Sequence, residues 1–362
     1  MRESFGPQNS PDRLIMVIGI HTRNSGKRVE THRVVVTGGA GFMGSWLVDE
    51  LVEMGHSVTS VDNLLGGHIG NVNKDCEFVK GDLRKFDLAN GIAKRADVIF
   101  HLAAYAAEGQ SLFSPIAIND INITPMNNLL VAAVNHGVSR FVFTSSMAVY
   151  GKQKPPFSER MPRKPVDPYG IGKTYCEAIL EAFSETYDFE FVIIRPHNVY
   201  GPRQNIADPY RNVLGIWMNR IMRGRPPMIY GDGEQIRAFS YIEDVAPVLA
   251  KAGFSQKAAN QIINVGSKEK VSINEACQLL LRATGSKAKP IYESERPGEV
   301  RYAWCNGEKS IHLLGYRTRF TLAKGMKRMW SWAKEVGPKE PTYTLPLEIK
   351  KKAPRAWLDK MM

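Results

Sequence analysis

The chain has 362 residues, 43% hydrophobic and 23% charged, ordinary for a folded protein and long enough for one large domain or two closely associated ones. No apolar run nears the roughly 18 residues of a membrane span, so none is expected. Of the formal net charge of +12, residues 1–33 carry +3 and residues 319–362 carry +7; solvated basic ends, with no nucleic-acid partner, are expected.

Residues 1–32 mix Pro, Asn, Ser and Arg around the short apolar LIMVIGI. They read as a poorly ordered extension, with room for one added strand. The apolar stretch lacks a convincing cleavage site, so export is not expected. Four widely spaced cysteines (Cys76, Cys176, Cys277, Cys305), with no CxxC pair, point to the cytoplasm and away from a metal site. From Arg33, strands at 33–37, 57–62, 76–79, 96–102, 139–146 and 190–196 alternate with helices at about 42–54, 84–93, 115–136 and 168–187. Continuous apolar strands separated by helices imply an α/β fold whose parallel sheet is covered on both faces.

The stretch RVVVTGGAGFMG at 33–44 places glycines between the first strand and the first helix. Gly38 permits the tight turn, Gly41 lets backbone approach a pyrophosphate, and Gly44 lets the helix pack on the strand. Asp62 ends the next strand, 21 residues after Gly41, where an acid holds the adenosine ribose 2′-hydroxyl. Its follower is Asn63 and not a basic residue, which favours NAD over NADP. Further along, Asp82 is placed to accept from the adenine amine. Ala103 and Ala104 let a flat cofactor lie close, and Asn122 bonds loop backbone or cofactor. A Rossmann-type doubly wound domain over 33–196 is expected.

After Arg195 the regularity fades, and helices near 209–222, 242–252 and 273–284 lie among Pro- and Gly-rich pieces. A smaller α/β substrate lobe over 197–336 and a basic tail over 337–362, laid on the surface, complete the expected organisation.

VDPYGIGKTYCEA puts Tyr169 and Lys173 four residues apart on one helical face. A free tyrosine titrates near ~10, too high for a base at neutral pH. A lysine ammonium one turn away, with a positively charged nicotinamide, is expected to lower that value. FVFTSSMAVYG ends the fifth strand in Thr144, Ser145 and Ser146, where a hydroxyl meets ligands at a sheet's carboxyl edge.

TGGAGFMG, HLAA, TSSMAVYG, PYGIGK and RPHNVYGPR together resemble the extended short-chain dehydrogenase/reductase family, and within it the NAD-dependent nucleotide-sugar epimerases of the UDP-glucose 4-epimerase type. The resemblance runs from about Arg33 to about Trp332. It implies a homodimer built on a four-helix interface, with Ser146 and Tyr169 as catalytic hydroxyls and Lys173 as the cofactor-anchoring lysine. It extends the cofactor contacts to Phe42, Met43, Leu83, Leu102, Ser145 and Pro196. Asn198, Arg237 and Arg296 take the sugar diphosphate, and Glu108 falls where the family lines the sugar pocket. Paired guanidinium–phosphate hydrogen bonds make physical sense of the two arginines.

Departures narrow the activity. Sugar dehydratases carry an Asp–Glu pair where this chain has Met147 and Ala148. GDP-mannose 3,5-epimerases place a cysteine at the position of Ala148 and a lysine near Asn212. Many 4-epimerases carry a lysine at the position of Ala106. The expected activity is inversion at C4 of a nucleotide-activated hexose, UDP-glucose or UDP-galactose in type, through a 4-keto sugar. A carboxylate at Glu108 would repel a uronic acid, favouring a neutral hexose or N-acetylhexosamine. A nucleotide-sugar reductase or decarboxylase is the enzyme alternative, and a non-catalytic NAD-sensing protein the alternative of another class.

Overall fold

The computed structural model describes residues 30–362; the extension expected over residues 1–32 lies almost wholly outside them. Seven parallel strands form the main sheet. The first six are β1 (Arg33–Thr37), β2 (Ser57–Asp62), β3 (Glu77–Lys80), β4 (Val98–His101), β5 (Arg140–Thr144) and β6 (Glu190–Pro196). The intervening helices are α1 (Phe42–Glu53), α2 (Phe86–Ala93), the short α3 (Glu108–Ser111), α4 (Pro115–Asn135) and α5 (Pro168–Tyr187). Then come β7 (Val199–Tyr200), α6 (Val213–Met222), β8 (Met228–Tyr230), β9 (Ile236–Ala238), β10 (Ser240–Tyr241), α7 (Ile242–Ala252) and β11 (Gln261–Val265). The chain continues through β12 (Lys270–Ser272), α8 (Ile273–Thr284), β13 (Ile291–Glu293), β14 (Tyr302–Ala303), α9 (Glu308–Leu314), α10 (Leu322–Val336) and α11 (Arg355–Leu358).

The sheet order is β11-β6-β5-β4-β1-β2-β3, the doubly wound order that reverses between β1 and β4 and opens a crevice at the strands' carboxyl ends. Buried Val34, Val36, Phe100 and Ile194 pack on α1 and α7 on one face. Val35, Ile99, Phe141 and Ile193 pack on α2, α4 and α5 on the other. Local signals set the helix starts: Pro168 is the first residue of α5, and the Asp167 carboxylate accepts from the Gly170 N–H at 2.8 Å.

The expected boundary at residue 196 does not hold as a break. The chain returns to the sheet, where β11 pairs with β6 from Gln261↔Val192 to Val265↔Pro196, and Val245, Val248 and Leu249 of α7 join the sheet core. A strand buried on both faces needs a paired edge, and β6 obtains one only from this later segment. The rest of the C-terminal half gathers around Trp217, Met326 and Met329. The tail is likewise more than a surface layer. Ala356, Trp357 and Met362 are buried against Phe113, Tyr210 and Met228.

Candidate active site

One cavity of about 480 Å³ runs along the carboxyl edge of the sheet and under the C-terminal half. At one end lies the β1–α1 turn. Gly38 holds a left-handed backbone (φ +74°), and a Cβ there would stand 2.8 Å from the Ala103 nitrogen. A Cβ on Gly44 would collide with the Gly38 carbonyl oxygen, so α1 sits on β1 only because residue 44 has no side chain. Gly41 opens α1 with no side-chain cap and no acid in the first turn. The helix's first N–H groups therefore lack a carboxylate of their own, and Gly41, Phe42, Met43 and Gly44 all line the cavity. Asp62, at the end of β2, accepts from the N–H groups of Ala40 (3.1 Å) and Leu64 (2.7 Å), and burial raises its carboxyl pKa.

These features fit NAD. An uncapped helix start suits a pyrophosphate, a buried carboxylate suits a ribose diol and rejects a 2′-phosphate, and Leu102, Ala103 and Ala104 form a low floor. Asn63, Asp82, Leu83 and Pro196 also line the cavity. Asp82 is paired with Arg84 at 2.6 Å, which holds its carboxyl down at about 2.

Two expected cofactor contacts are engaged elsewhere. Asn122 is buried off the cavity, with its amide oxygen on the Tyr105 N–H (2.7 Å) and its amide nitrogen on the Tyr105 carbonyl (3.2 Å). It holds the loop that forms the floor. Ser145 lines the cavity, but its hydroxyl donates to Glu177 at 2.5 Å.

Ser146, Tyr169 and Lys173 meet at mid-cavity, all buried and all lining it. The Ser146 hydroxyl accepts from the Ala148 N–H at 3.1 Å, which leaves its O–H free to donate. Lys173 Nζ donates to the Thr144 carbonyl at 2.8 Å and retains further donors; burial lowers its pKa to about 8. The chain's own groups act on Tyr169 in both directions. The Tyr169 phenol is raised well above its ordinary value, first by burial and then by the Glu108 charge, with Asp167 adding to it. The groups that favour the phenolate are the Ser146 hydroxyl and Arg211. Lys173, with Nζ 5.8 Å from the ring centroid, is turned toward Thr144 instead. Arg211 is a site residue that sequence reasoning missed: it pairs with Asp208 at 2.6 Å and lies over the Tyr105 ring.

The far end of the cavity is charged. Arg237 and Arg296 both bond to Glu299, each at 2.7 Å. A shared carboxylate between two guanidinium groups makes this end of the cavity able to hold an anion. Asn198 lines the same region in a left-handed conformation (φ +39°) and donates to the Ala238 carbonyl at 2.9 Å. Glu108, the first residue of α3, is exposed along the cavity. Partial desolvation by the surrounding cavity wall, with Asp167 beside it, raises its carboxyl to about 7. Met147 and Ala148 line the cavity beside Ser146.

Residues 34–266 match the NAD dependent epimerase/dehydratase family. A putative UDP-glucose 4-epimerase of Methanocaldococcus jannaschii is 35% identical over 304 residues, 83% of this chain and 98% of its own length. A UDP-N-acetyl-alpha-D-glucosaminuronate decarboxylase of Bacillus cytotoxicus is 33% identical over 323 residues, 84% of this chain and 98% of its own. Among solved structures, the UDP-glucose 4-epimerase of Thermotoga maritima with UDP-glucose superposes with a TM-score of 0.79 at 33% identity, covering 84% of this chain and 99% of that one. The Thermus thermophilus UDP-glucose 4-epimerase complex with NAD gives 0.78 at 31%, covering 83% and 98%.

Proposed function

The chain belongs to the NAD dependent epimerase/dehydratase family and takes NAD as its cofactor, and from that premise we propose that it inverts C4 of a UDP-hexose. The observation that carries this reading is the meeting of Ser146, Tyr169 and Lys173 between an anion-ready helix start and an arginine pair. When bound, NAD supplies a reversible hydride acceptor for C4. The chain supplies the rest. Tyr169 Oη takes the 4-hydroxyl proton as the phenolate, which a positively charged nicotinamide would favour against the burial and the Glu108 charge that raise it, and later returns the proton, with the Ser146 hydroxyl bridging to the sugar oxygen. Lys173, with donors left over from Thr144, would hold the cofactor.

Arg237 and Arg296 exchange Glu299 for the diphosphate and keep it anchored, with Asn198 beside them, while the 4-keto sugar turns over. The dinucleotide end is held through Gly38, Gly41, Phe42, Met43, Gly44, Asp62, Asn63, Asp82, Leu83, Leu102, Ala103, Ala104 and Pro196, and through the main chain of Ser145. Glu108, carrying charge above about pH 7, disfavours a uronic acid and supports a neutral hexose or N-acetylhexosamine. The exposed apolar side chains of Val131 on α4 and of Ile171 and Tyr175 on α5 support a homodimer through these helices; sedimentation would reveal a monomer if this is wrong. Unpaired cysteines support the cytoplasm.

Incubation of the purified protein with UDP-glucose, followed by sugar NMR, tests the activity. Appearance of the galacto epimer without net cofactor reduction is expected. Carbon dioxide release from UDP-glucuronate, with UDP-glucose left untouched, would instead support the decarboxylase alternative.

A further inference from the structure

Just before α6 the chain sets a half-buried cation against the loop that follows β2. Arg211 lies over the Tyr105 ring at 4.6 Å, and its Nε donates to the Asp208 carboxylate at 2.6 Å. Asp208 is buried and accepts from the Tyr210 N–H at 2.9 Å through its other oxygen, so it holds Arg211 by one edge. Among the described residues nothing accepts from Nη1 or Nη2, although these carry four of the five guanidinium N–H donors. Arg211 lines the cavity with its side chain 14% exposed, and neither nitrogen is sealed from it.

Two glycines decide what these nitrogens face. A Cβ on Gly66 would stand 2.8 Å from Arg211 Nη2, so the guanidinium fills space that a side chain at 66 would take. A Cβ on the adjoining Gly67 would stand 2.9 Å from the Ala40 carbonyl carbon and 3.0 Å from Asp62 Oδ1. The next residue, His68, donates its N–H to the Ala40 carbonyl at 2.9 Å. The loop over 64–67 therefore joins Arg211 to the β1–α1 turn and to the ribose acid, while Leu65 packs with Tyr105 and Tyr169. Arg237 and Arg296 stand at the other end of the cavity, engaged with Glu299. A cation with its free edge at the dinucleotide end is suited to a pyrophosphate, because guanidinium meets phosphate oxygens with paired, charge-assisted bonds.

We propose that Arg211 closes the cofactor site from the C-terminal half, its Nη1 and Nη2 donating to the NAD pyrophosphate across the side-chain-free Gly66. The main-chain donors of α1 then hold the anion from one side and Arg211 from the other, so release requires Arg211 to move aside. This adds a residue to the NAD contacts given above and does not depend on which sugar is turned over. Release from the full-length, NAD-loaded protein is timed by exchange against isotopically labelled NAD. Arg211→Gln is expected to speed release about tenfold, as loss of hydrogen bonds to a charged group does, with UDP affinity by calorimetry unchanged. Arg211→Lys restores the charge without the paired geometry and should recover part of the delay. Gly66→Ala keeps the Arg211–Asp208 pair and pushes Nη2 aside. It should speed release by itself, yet add little to Arg211→Gln.

An unchanged release rate in Arg211→Gln overturns the proposal. Loss of UDP affinity with NAD exchange unchanged also overturns it, by assigning Arg211 to the substrate diphosphate. So does faster release in Arg211→Gln that Gly66→Ala fails to reproduce, because the effect would then come from leaving Asp208 unpaired and not from a lost phosphate contact.

Discussion

The two ends of the cavity prepare for phosphate in different ways. At the β1–α1 turn the donors are main-chain N–H groups, exposed because Gly41 offers no cap and because Gly38 and Gly44 bring strand and helix together. At the far end the donors are the guanidinium groups of Arg237 and Arg296, half neutralised by the one carboxylate of Glu299. Backbone donors carry no counter-charge and suit a ligand that stays. Side-chain donors with an internal carboxylate suit one that must enter and leave. A cofactor retained through turnover and a substrate exchanged at each cycle make those opposite demands.

The comparison is broken most severely at the seam. Tyr169→Phe should lower kcat about 10²–10⁴-fold, the usual contribution of a positioned acid–base group, while bound NAD, read by absorbance after denaturation, stays at the wild-type level. Undiminished turnover would remove Tyr169 from its role. Next, Gly44→Ala forces the Gly38 carbonyl aside. Overpacking of this kind costs about 1–3 kcal/mol, and bound NAD should fall with Tm while UDP still binds.

Glu299→Gln sharpens the other side. Breaking a buried ion pair costs about 3–5 kcal/mol, so the unliganded Tm should drop. UDP should then raise Tm by more in the variant than in the wild type, since the diphosphate restores what the carboxylate supplied. An equal rise would mean that Glu299 is not displaced on binding.

The smallest effect is in Glu108→Gln. The raised pKa of Glu108, about 7 against an ordinary 4.5, keeps it neutral at low pH and charged above about 7. Stability drawn from its protonated form is thus complete below about pH 4.5 and lost as pH rises through 7. Inhibition by UDP-glucuronate should weaken across that same rise in the wild type. In Glu108→Gln it should stay flat, within a few-fold of the low-pH value.

Legibility in the chain followed the range of the interactions. The β1–α1 loop, Asp62 and the Tyr169–Lys173 pair are set by contacts a few residues apart or by strand ends, and local pattern reveals them. The pairing of β11 with β6, the placing of Arg211 over Tyr105 and the burial of Trp357 rest on partners distant in the chain. RAWL near the end carries no periodic signal that would separate a wall from a tail. A four-residue spacing puts Lys173 beside Tyr169, while the bond of its ammonium to the Thr144 carbonyl rests on a partner distant in the chain.

The late arrival of β11 has a consequence for synthesis. During translation the first six strands emerge some sixty residues before Gln261–Val265, and until then the outer edge of β6, with Val192 and Ile194, offers unpaired main chain to any neighbouring nascent polypeptide. A ribosome-bound fragment ending near residue 200 is therefore expected to engage chaperones or aggregate. One ending past residue 265 should resist protease, so the seventh strand acts as the latch of vectorial folding.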